Sequence, residues 1–401
     1  LSIQETQYYF GLYEILDTTA SSCYSIHNRY RNRLRLSHPL RSLKSLDCTN
    51  VSLPQCGICM VTIHDVAVRA GVSATTVSHV VNGTRPVSPQ LSERVQRAMR
   101  DLGYQPNALA RSLRRKQTHT IGLIVPDNSN PFFAEMAHSV EYAAYGIGHA
   151  VVLCNSDDDA EREALYLDLL LKRQVDGIVL VAAATSSDAM RALVERGPPL
   201  VVVDRDLANP ANDCVLTDHE AGGYAASEHL AQLGHKRIAC IAGPSDLESS
   251  AGRVAGYRAA LRAAGLRVDT SMIVRGDFRD HSGYVAAQKL LKRADPPTAI
   301  FACNDLMAIG AMAAVRDAGL SVPEDVSVVG FDDIHIAGYL NPPLTTIAQP
   351  TTELGRVATE LLLQRMQDRT LPPRRVMLRN RLIIRRTTAS APSRSISYFV
   401  E

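Results

Sequence analysis

Thr75, Thr76 and His79 fall within one helical turn of each other in the run from Thr62 to Val81. Side chains of these types hydrogen-bond to base edges and to phosphates, and small hydroxyls permit close approach to a groove. Leu109 and Leu113 stand four residues apart among Arg111, Arg114, Arg115 and Lys116. An apolar tip can unstack a base step from the minor groove while neighbouring cations hold the phosphates. A second group directly follows short apolar runs: Asn130, Phe132 and Phe133, then Asp204 and Arg205, then Asn304 and Asp305, then Asp332. In an open α/β sheet, residues just beyond the carboxyl ends of strands line the ligand crevice.

Chemistry of turnover is not indicated. The chain has no specific Gly-rich phosphate loop, GxSxG elbow or HExxH pair, and its His and Asp residues form no catalytic pattern. Cys56 and Cys59 form one CxxC without the second ligand pair of a zinc site, so the expectation is no metal, no cofactor and no enzyme.

The elements that must position these residues are legible. Ile63, Val66, Ala67 and Ala70 share a helical face, Gly71 permits a tight turn, and Ser73 caps a second helix. That helix points Val77 and Val80 inward and Thr75, Thr76 and His79 outward, as a groove-entering helix requires. A third helix is expected from Ser88 to Leu102, ended by Gly103, and Pro106 can open a short helix over 107–114. From residue 119 short β-rich runs alternate with longer amphipathic ones. Strands are expected at Ile121–Val125, Val151–Cys154, Gly177–Val181, Leu200–Asp204, Cys214–Thr217, Arg237–Ala242, Thr298–Cys303 and Val326–Gly330. Helical spacing marks Phe133–Tyr145, Glu161–Lys172, Glu220–Leu233 and Ala251–Ala264. The fold class is therefore α/β: two doubly wound parallel-sheet subdomains behind an N-terminal all-α helix-turn-helix headpiece.

Charge divides the same way. Residues 60–118 carry nine Lys/Arg against Asp65, Glu93 and Asp101, whereas residues 119–401 carry 28 basic and 34 acidic groups. A basic module on an acidic body touches a polyanion through one end. No apolar stretch is long enough to span a membrane and no secretory signal pattern stands at the N-terminus, so a cytoplasmic protein is expected. Residues 1–59 lack a sustained period, and Met60 precedes the first patterned segment; 1–59 is read as a non-native or dispensable extension. The expected divisions are 60–106 headpiece, 107–118 hinge and linker, 119–388 core and 389–401 tail.

The run from Thr62 to Leu113 resembles the headpiece and hinge of the lactose-repressor family of bacterial regulators, and the likeness continues to about residue 388. The resemblance implies a homodimer, with a tetramer also open, on near-palindromic double-stranded operator DNA. It places major-groove contacts on Thr75, Thr76 and His79, a further contact on Arg85, and the minor-groove leucine on Leu113 beside Arg114. The core also resembles periplasmic sugar-binding proteins, with a ligand held between two subdomains. A sugar calls for carboxylates and guanidinium groups around its hydroxyls and aromatic plates across its ring. Asp204, Arg205, Arg253, Asn304, Asp332 and Gln349, with Asn130, supply the polar half, and Phe132, Phe133 and Phe278 the plates. The set is most similar to that of ribose-responsive members. Purine-responsive members have an arginine and a threonine where this chain has Leu247 and Ser249. The expected function is a repressor released from DNA by a sugar, D-ribose first; a purine-responsive repressor and a transport-type sugar-binding protein are the alternatives.

Overall fold

The computed structural model describes residues 61–105, 117–181, 197–205 and 212–392. The expectations for the Cys56–Cys59 pair, Met60, the helix over 107–114, Leu113 and Arg114 lie outside these residues. The chain divides at Tyr104 into two compact units.

In the first unit, helix α1 (Ile63–Ala70) starts in a capping box. The Thr62 N–H donates to Asp65 Oδ2 at 2.8 Å, and the Asp65 N–H donates back to the Thr62 hydroxyl. Gly71 ends it in the left-handed region at φ 62°, a turn that would strain any side chain. Ser73 accepts the Thr76 N–H and opens α2 (Ala74–Asn82); Pro89 begins α3 (Pro89–Leu102) after Ser88. Val66, Ala67, Ala70, Val77, Val95 and Ala98 form the small core.

The second unit holds two six-stranded sheets. The first is built from β1 (Thr120–Val125), β2 (Ala150–Asn155), β3 (Gly177–Leu180), β4 (Leu200–Val203), β5 (Asp213–Thr217) and β11 (Arg375–Leu378). Its order is β11-β5-β4-β3-β1-β2, parallel throughout. The second contains β6 (Ile238–Ala242), β7 (Ile273–Arg275), β8 (Ala299–Ala302), β9 (Ser327–Asp332), β10 (Thr345–Ala348) and β12 (Arg381–Ile383), in the order β12-β10-β9-β8-β6-β7. The second sheet is parallel except at one edge, where β10 and β12 run antiparallel. All residues of β3, β4 and β8 are buried, because helices cover both faces and such strands read as unbroken apolar runs.

Helices α4 (Pro131–Tyr145) and α5 (Ala160–Lys172) belong to the first sheet, and α7 (Glu248–Ala263), α8 (Asp280–Leu291) and α9 (Asp305–Asp317) to the second. The chain passes between subdomains three times. After β5, α6 (His219–Gln232) packs on α7; after β10, α10 (Thr351–Gln367) returns to α4; β11 then leads to β12. The return of α10 is locked by Asp213 at the start of β5, whose fully buried carboxylate accepts from Arg365 Nε at 3.0 Å and from Arg374 Nη2 at 3.2 Å.

Candidate functional site

The exposed face of α2 is the first candidate. Thr75 is exposed, while Thr76 and His79 are half-buried. Two of the three are less free than their outward spacing implied. The Thr76 hydroxyl lies 2.9 Å from the capping Ser73 hydroxyl, and His79 Nδ1 is 2.7 Å from the Thr84 hydroxyl, which fixes the ring. Val77 is buried and Val80 half-buried. The basic excess is also sorted by the fold. Arg94 donates to the Ala70 carbonyl at 2.6 Å and ties α3 to the turn, and Arg69 and Arg97 pair with Asp101 and Glu93. Arg85 is exposed and, among the described residues, has no ion-pair partner.

The second candidate lies between the two sheets, at the carboxyl ends of their strands. A cavity of about 260 Å³ is lined there by nine of the ten residues singled out for a small ligand: Asn130, Phe132, Phe133, Asp204, Arg205, Arg253, Phe278, Asn304 and Asp332. Gln349 is outside this lining. It stands behind the wall, donating from Nε2 to Asp332 Oδ1 at 2.8 Å while its Oε1 accepts from the buried Thr217 hydroxyl at 2.6 Å. Asn130 and Asn304 also have structural duties, because their carbonyl oxygens cap α4 and α9.

Backbone conformation marks the same place. Asp157, Asp158, Asp204, Phe278 and Asp332 line the cavity with φ between 54° and 114°. Such conformations cost roughly 1–3 kcal/mol each and persist where surrounding structure imposes them, typically at ligand clamps. For Phe278 the restraint is visible. Its carbonyl accepts from Asn304 Nδ2 at 2.8 Å, and its ring occupies the space of a Cβ at Gly243, which would come within 2.2 Å of it. Phe132 and Phe133 meet edge to face at 5.0 Å.

The lining carries six carboxylates (Asp127, Asp157, Asp158, Asp204, Asp277, Asp332) against three guanidinium groups (Arg205, Arg253, Arg279). This balance disfavours an anionic ligand and suits a neutral one rich in hydroxyl donors. Arg253 organises the floor: its Nη1 donates to the Cys303 carbonyl at 2.5 Å and lies 3.6 Å from Asp332 Oδ1, with the guanidinium 3.9 Å above the Phe331 ring. Burial, only partly offset by Arg253 and Gln349, pushes the Asp332 carboxyl up to about 7. Burial, then the Arg253 charge, lowers His219 to about 4, so its ring is neutral near pH 7. Its Nε2 donates to the Asp204 carbonyl at 3.2 Å and its Nδ1 faces Arg253 Nη2 at 3.5 Å, holding both residues in place. Asp204 Oδ1 is buried and accepts no hydrogen bond from the protein.

Sequence reasoning missed Asp127, Asp157, Asp158, Pro244, Asp277 and Arg279 in the lining, and His219 behind it; Ser249 was named only by comparison with purine-responsive members. Asp157 and Asp158 follow a strand that was legible, so the strand-end rule reached them but was not applied there. Asp277 and Arg279 follow β7, three residues long and not legible as a strand. Leu247 is buried outside the lining, whereas Ser249 is in it.

Comparison with known proteins gives a consistent picture. Residues 62–107 match the family described as bacterial regulatory proteins, lacI family. Residues 118–386 match periplasmic binding proteins and sugar binding domain of LacI family. The ribose operon repressor of Escherichia coli (strain K12) is 41% identical over 321 residues, covering 80% of this chain and 97% of the relative. An HTH-type transcriptional repressor PurR from Photobacterium profundum is 39% identical over 329 residues, covering 82% and 98%. A LacI family transcriptional regulator from Enterococcus faecium, solved with bound ribose, superposes with a TM-score of 0.63 at 35% identity over 68% of this chain and 99% of that one. Among the described residues no helix is long and apolar enough to cross a membrane.

Proposed function

The chain belongs to the LacI family of bacterial regulatory proteins, as a helix-turn-helix transcriptional repressor with a sugar-binding type of core, and from that premise we propose that D-ribose in the cleft releases it from operator DNA. The observation that carries the sugar reading is the carboxylate-rich cavity in which buried Asp204 presents an oxygen with no protein donor. A vicinal diol supplies that donor, and a second hydroxyl can donate to Asp332 while Arg253 donates to a ring or hydroxyl oxygen. Phe132, Phe133 and Phe278 cover the apolar face. Ser249 at the cleft, with Leu247 turned into the core, favours the ribose reading over the purine one suggested by the PurR relatives.

On the DNA side, Thr75, Thr76, His79 and Arg85 of the 60–106 headpiece read and hold one half-site. Leu113 and Arg114 of the 107–118 hinge act at the operator centre within a homodimer. Sugar binding shifts the relation of the two core subdomains and thereby disfavours the DNA-bound arrangement. Coupling of about 1–3 kcal/mol corresponds to a ~5- to 150-fold loss of operator affinity. Calorimetry and operator binding of the full chain with D-ribose, other pentoses, hexoses and purines test this. D-ribose should raise the melting temperature and weaken operator binding; stabilisation by a purine alone refutes the ribose assignment.

A pH dependence follows from Asp332. A sugar hydroxyl donates to the ionised carboxylate, whereas without ligand the group takes up a proton near pH 7. Ribose affinity should therefore be flat above about pH 8 and weaken toward about tenfold per unit below pH 6. His219, lowered to about 4, contributes nothing in that window. Affinity unchanged between pH 5 and 8 excludes a hydrogen bond to ionised Asp332.

A further inference from the structure

At the opposite end of the first sheet from the cleft, the residues immediately preceding three neighbouring strands converge. His119 precedes β1, His149 precedes β2 and Asp176 precedes β3; their ligand atoms all lie within 4.8 Å of one another. We propose that His119, His149 and Asp176 bind a divalent transition-metal ion, zinc or one of its neighbours, in a site with two imidazoles, one carboxylate and a solvent-facing fourth position.

The hydrogen-bond inventory points to a ligand. Asp176 Oδ1 accepts from the Thr118 N–H at 2.7 Å, and the Thr118 hydroxyl stands 3.1 Å from both that oxygen and the Gln174 carbonyl. Among the described residues, Asp176 Oδ2 accepts from the His119 N–H alone, at 2.7 Å, leaving one lone pair. His149 Nε2 stands 3.6 Å from that oxygen, beyond hydrogen-bond range, with the two side chains only 13% and 7% exposed. Meanwhile His149 Nδ1 lies 3.3 Å from the Ile147 carbonyl, which can only accept. That contact orients the ring so that Nε2 faces Asp176, as the backbone-carbonyl bond of a metal-bound histidine does. Nε2 and Oδ2 thus face each other at 3.6 Å, close to the ~3.3–3.5 Å edge of a tetrahedron whose metal bonds are ~2.0–2.2 Å.

The third ligand is brought in by unusual backbone. His119 has φ 51°, in the left-handed region that His enters more readily than most residues, and its ring meets that of His149 edge-on at 5.2 Å. His119 remains exposed, so the open side of the site faces water. Two imidazoles and a carboxylate with one open position are a donor set of borderline softness, suited to Zn²⁺, Co²⁺ or Ni²⁺ rather than Ca²⁺ or Mg²⁺.

The test is a Co²⁺ titration of the chelator-treated, desalted full chain, followed by visible d–d absorption and then displacement by Zn²⁺. All proteins carry Cys56→Ser and Cys59→Ser, so that this CxxC pair cannot contribute. The expected result is one equivalent per chain, with affinity reduced at least ~10- to 100-fold in His119→Ala, an exposed change that leaves folding intact by circular dichroism, and absorption abolished in His149→Ala. Zn²⁺ should also raise the melting temperature of the parent lacking the Cys56–Cys59 pair and not of His119→Ala. No saturable Co²⁺ spectrum in the parent, or an unchanged one in His119→Ala, overturns the proposal.

Discussion

Arg253→Met should give a repressor that stays on its operator at D-ribose concentrations that saturate the parent. The methionine preserves most of the volume between Phe331 and Phe278 but removes the cation 3.9 Å and 5.8 Å from their ring centres. It also removes the donor to the Cys303 carbonyl and the charge facing Asp332. Truncating one partner of a buried, hydrogen-bonded charge pair costs about 2–5 kcal/mol in binding, or roughly 30- to several-thousand-fold in ribose affinity. Lysine is not expected to rescue, since a point charge reproduces neither the planar stacking nor the divergent donors. Without sugar, operator affinity should match the parent, because Arg253 lies in the core unit and the DNA-contact residues proposed in the headpiece are untouched. Fluorescence anisotropy on labelled operator with and without ribose reads both quantities. A variant released by ribose at parental concentrations would remove Arg253 from the effector site.

The largest effect on stability should come from Asp213→Ala. Burial raises the Asp213 carboxyl, but hydrogen bonds from Arg365 and Arg374 more than offset it, and the group lies below the usual carboxylate value. Removing it takes the counter-charge from two guanidinium groups that join α10 and the approach to β11 to the start of β5, leaving them only their bonds to carbonyls and to Gln364. Breaking a buried pair costs about 3–5 kcal/mol; here the arginines are 13% and 28% exposed and reach water, so about 3 kcal/mol is the better expectation. For a unit of this size that is a fall in melting temperature of roughly 6–12 °C. The acid limb should change as well. A lowered carboxyl contributes stability that is present above the unfolded value of ~3.9 and lost as pH falls through its folded value, so the variant should lose less stability than the parent below about pH 4. Equal melting temperatures by scanning calorimetry would show that α10 is held by packing alone.

Much of this architecture was readable because the physics is local or periodic. Leu200–Val203 and Ile238–Ala242 are apolar without interruption, the mark of strands covered on both faces. Thr62, Ser73 and Gly71 announce the ends of two helices by cap chemistry alone. The elements that escaped are those whose identity depends on a partner. Strand β10 includes Thr345 and Thr346, buried polar residues stabilised by the Thr387 hydroxyl and by Asp305, far away in sequence. Strands β7, β11 and β12 are edge or near-edge strands of three or four partly buried residues, too short to show a period. Gln349 was expected at the ligand, and its hydrogen bond to Asp332 is a pairing that spacing does not encode.

What the sequence determined by itself was the order of modules, the strand-end positions of Asn130, Asp204, Asn304 and Asp332, and the family to which such an order belongs. These are properties of neighbours along the chain. The tertiary structure alone decided which carboxylates lie in the cleft, that burial lifts Asp332 and depresses His219, and that Asp204 keeps an unmatched oxygen. It alone brought together His119, His149 and Asp176, tens of residues apart and joined only because β1 runs parallel between β2 and β3 in register. Desolvation and strand registration depend on everything that packs around a residue, and no window of sequence contains that information.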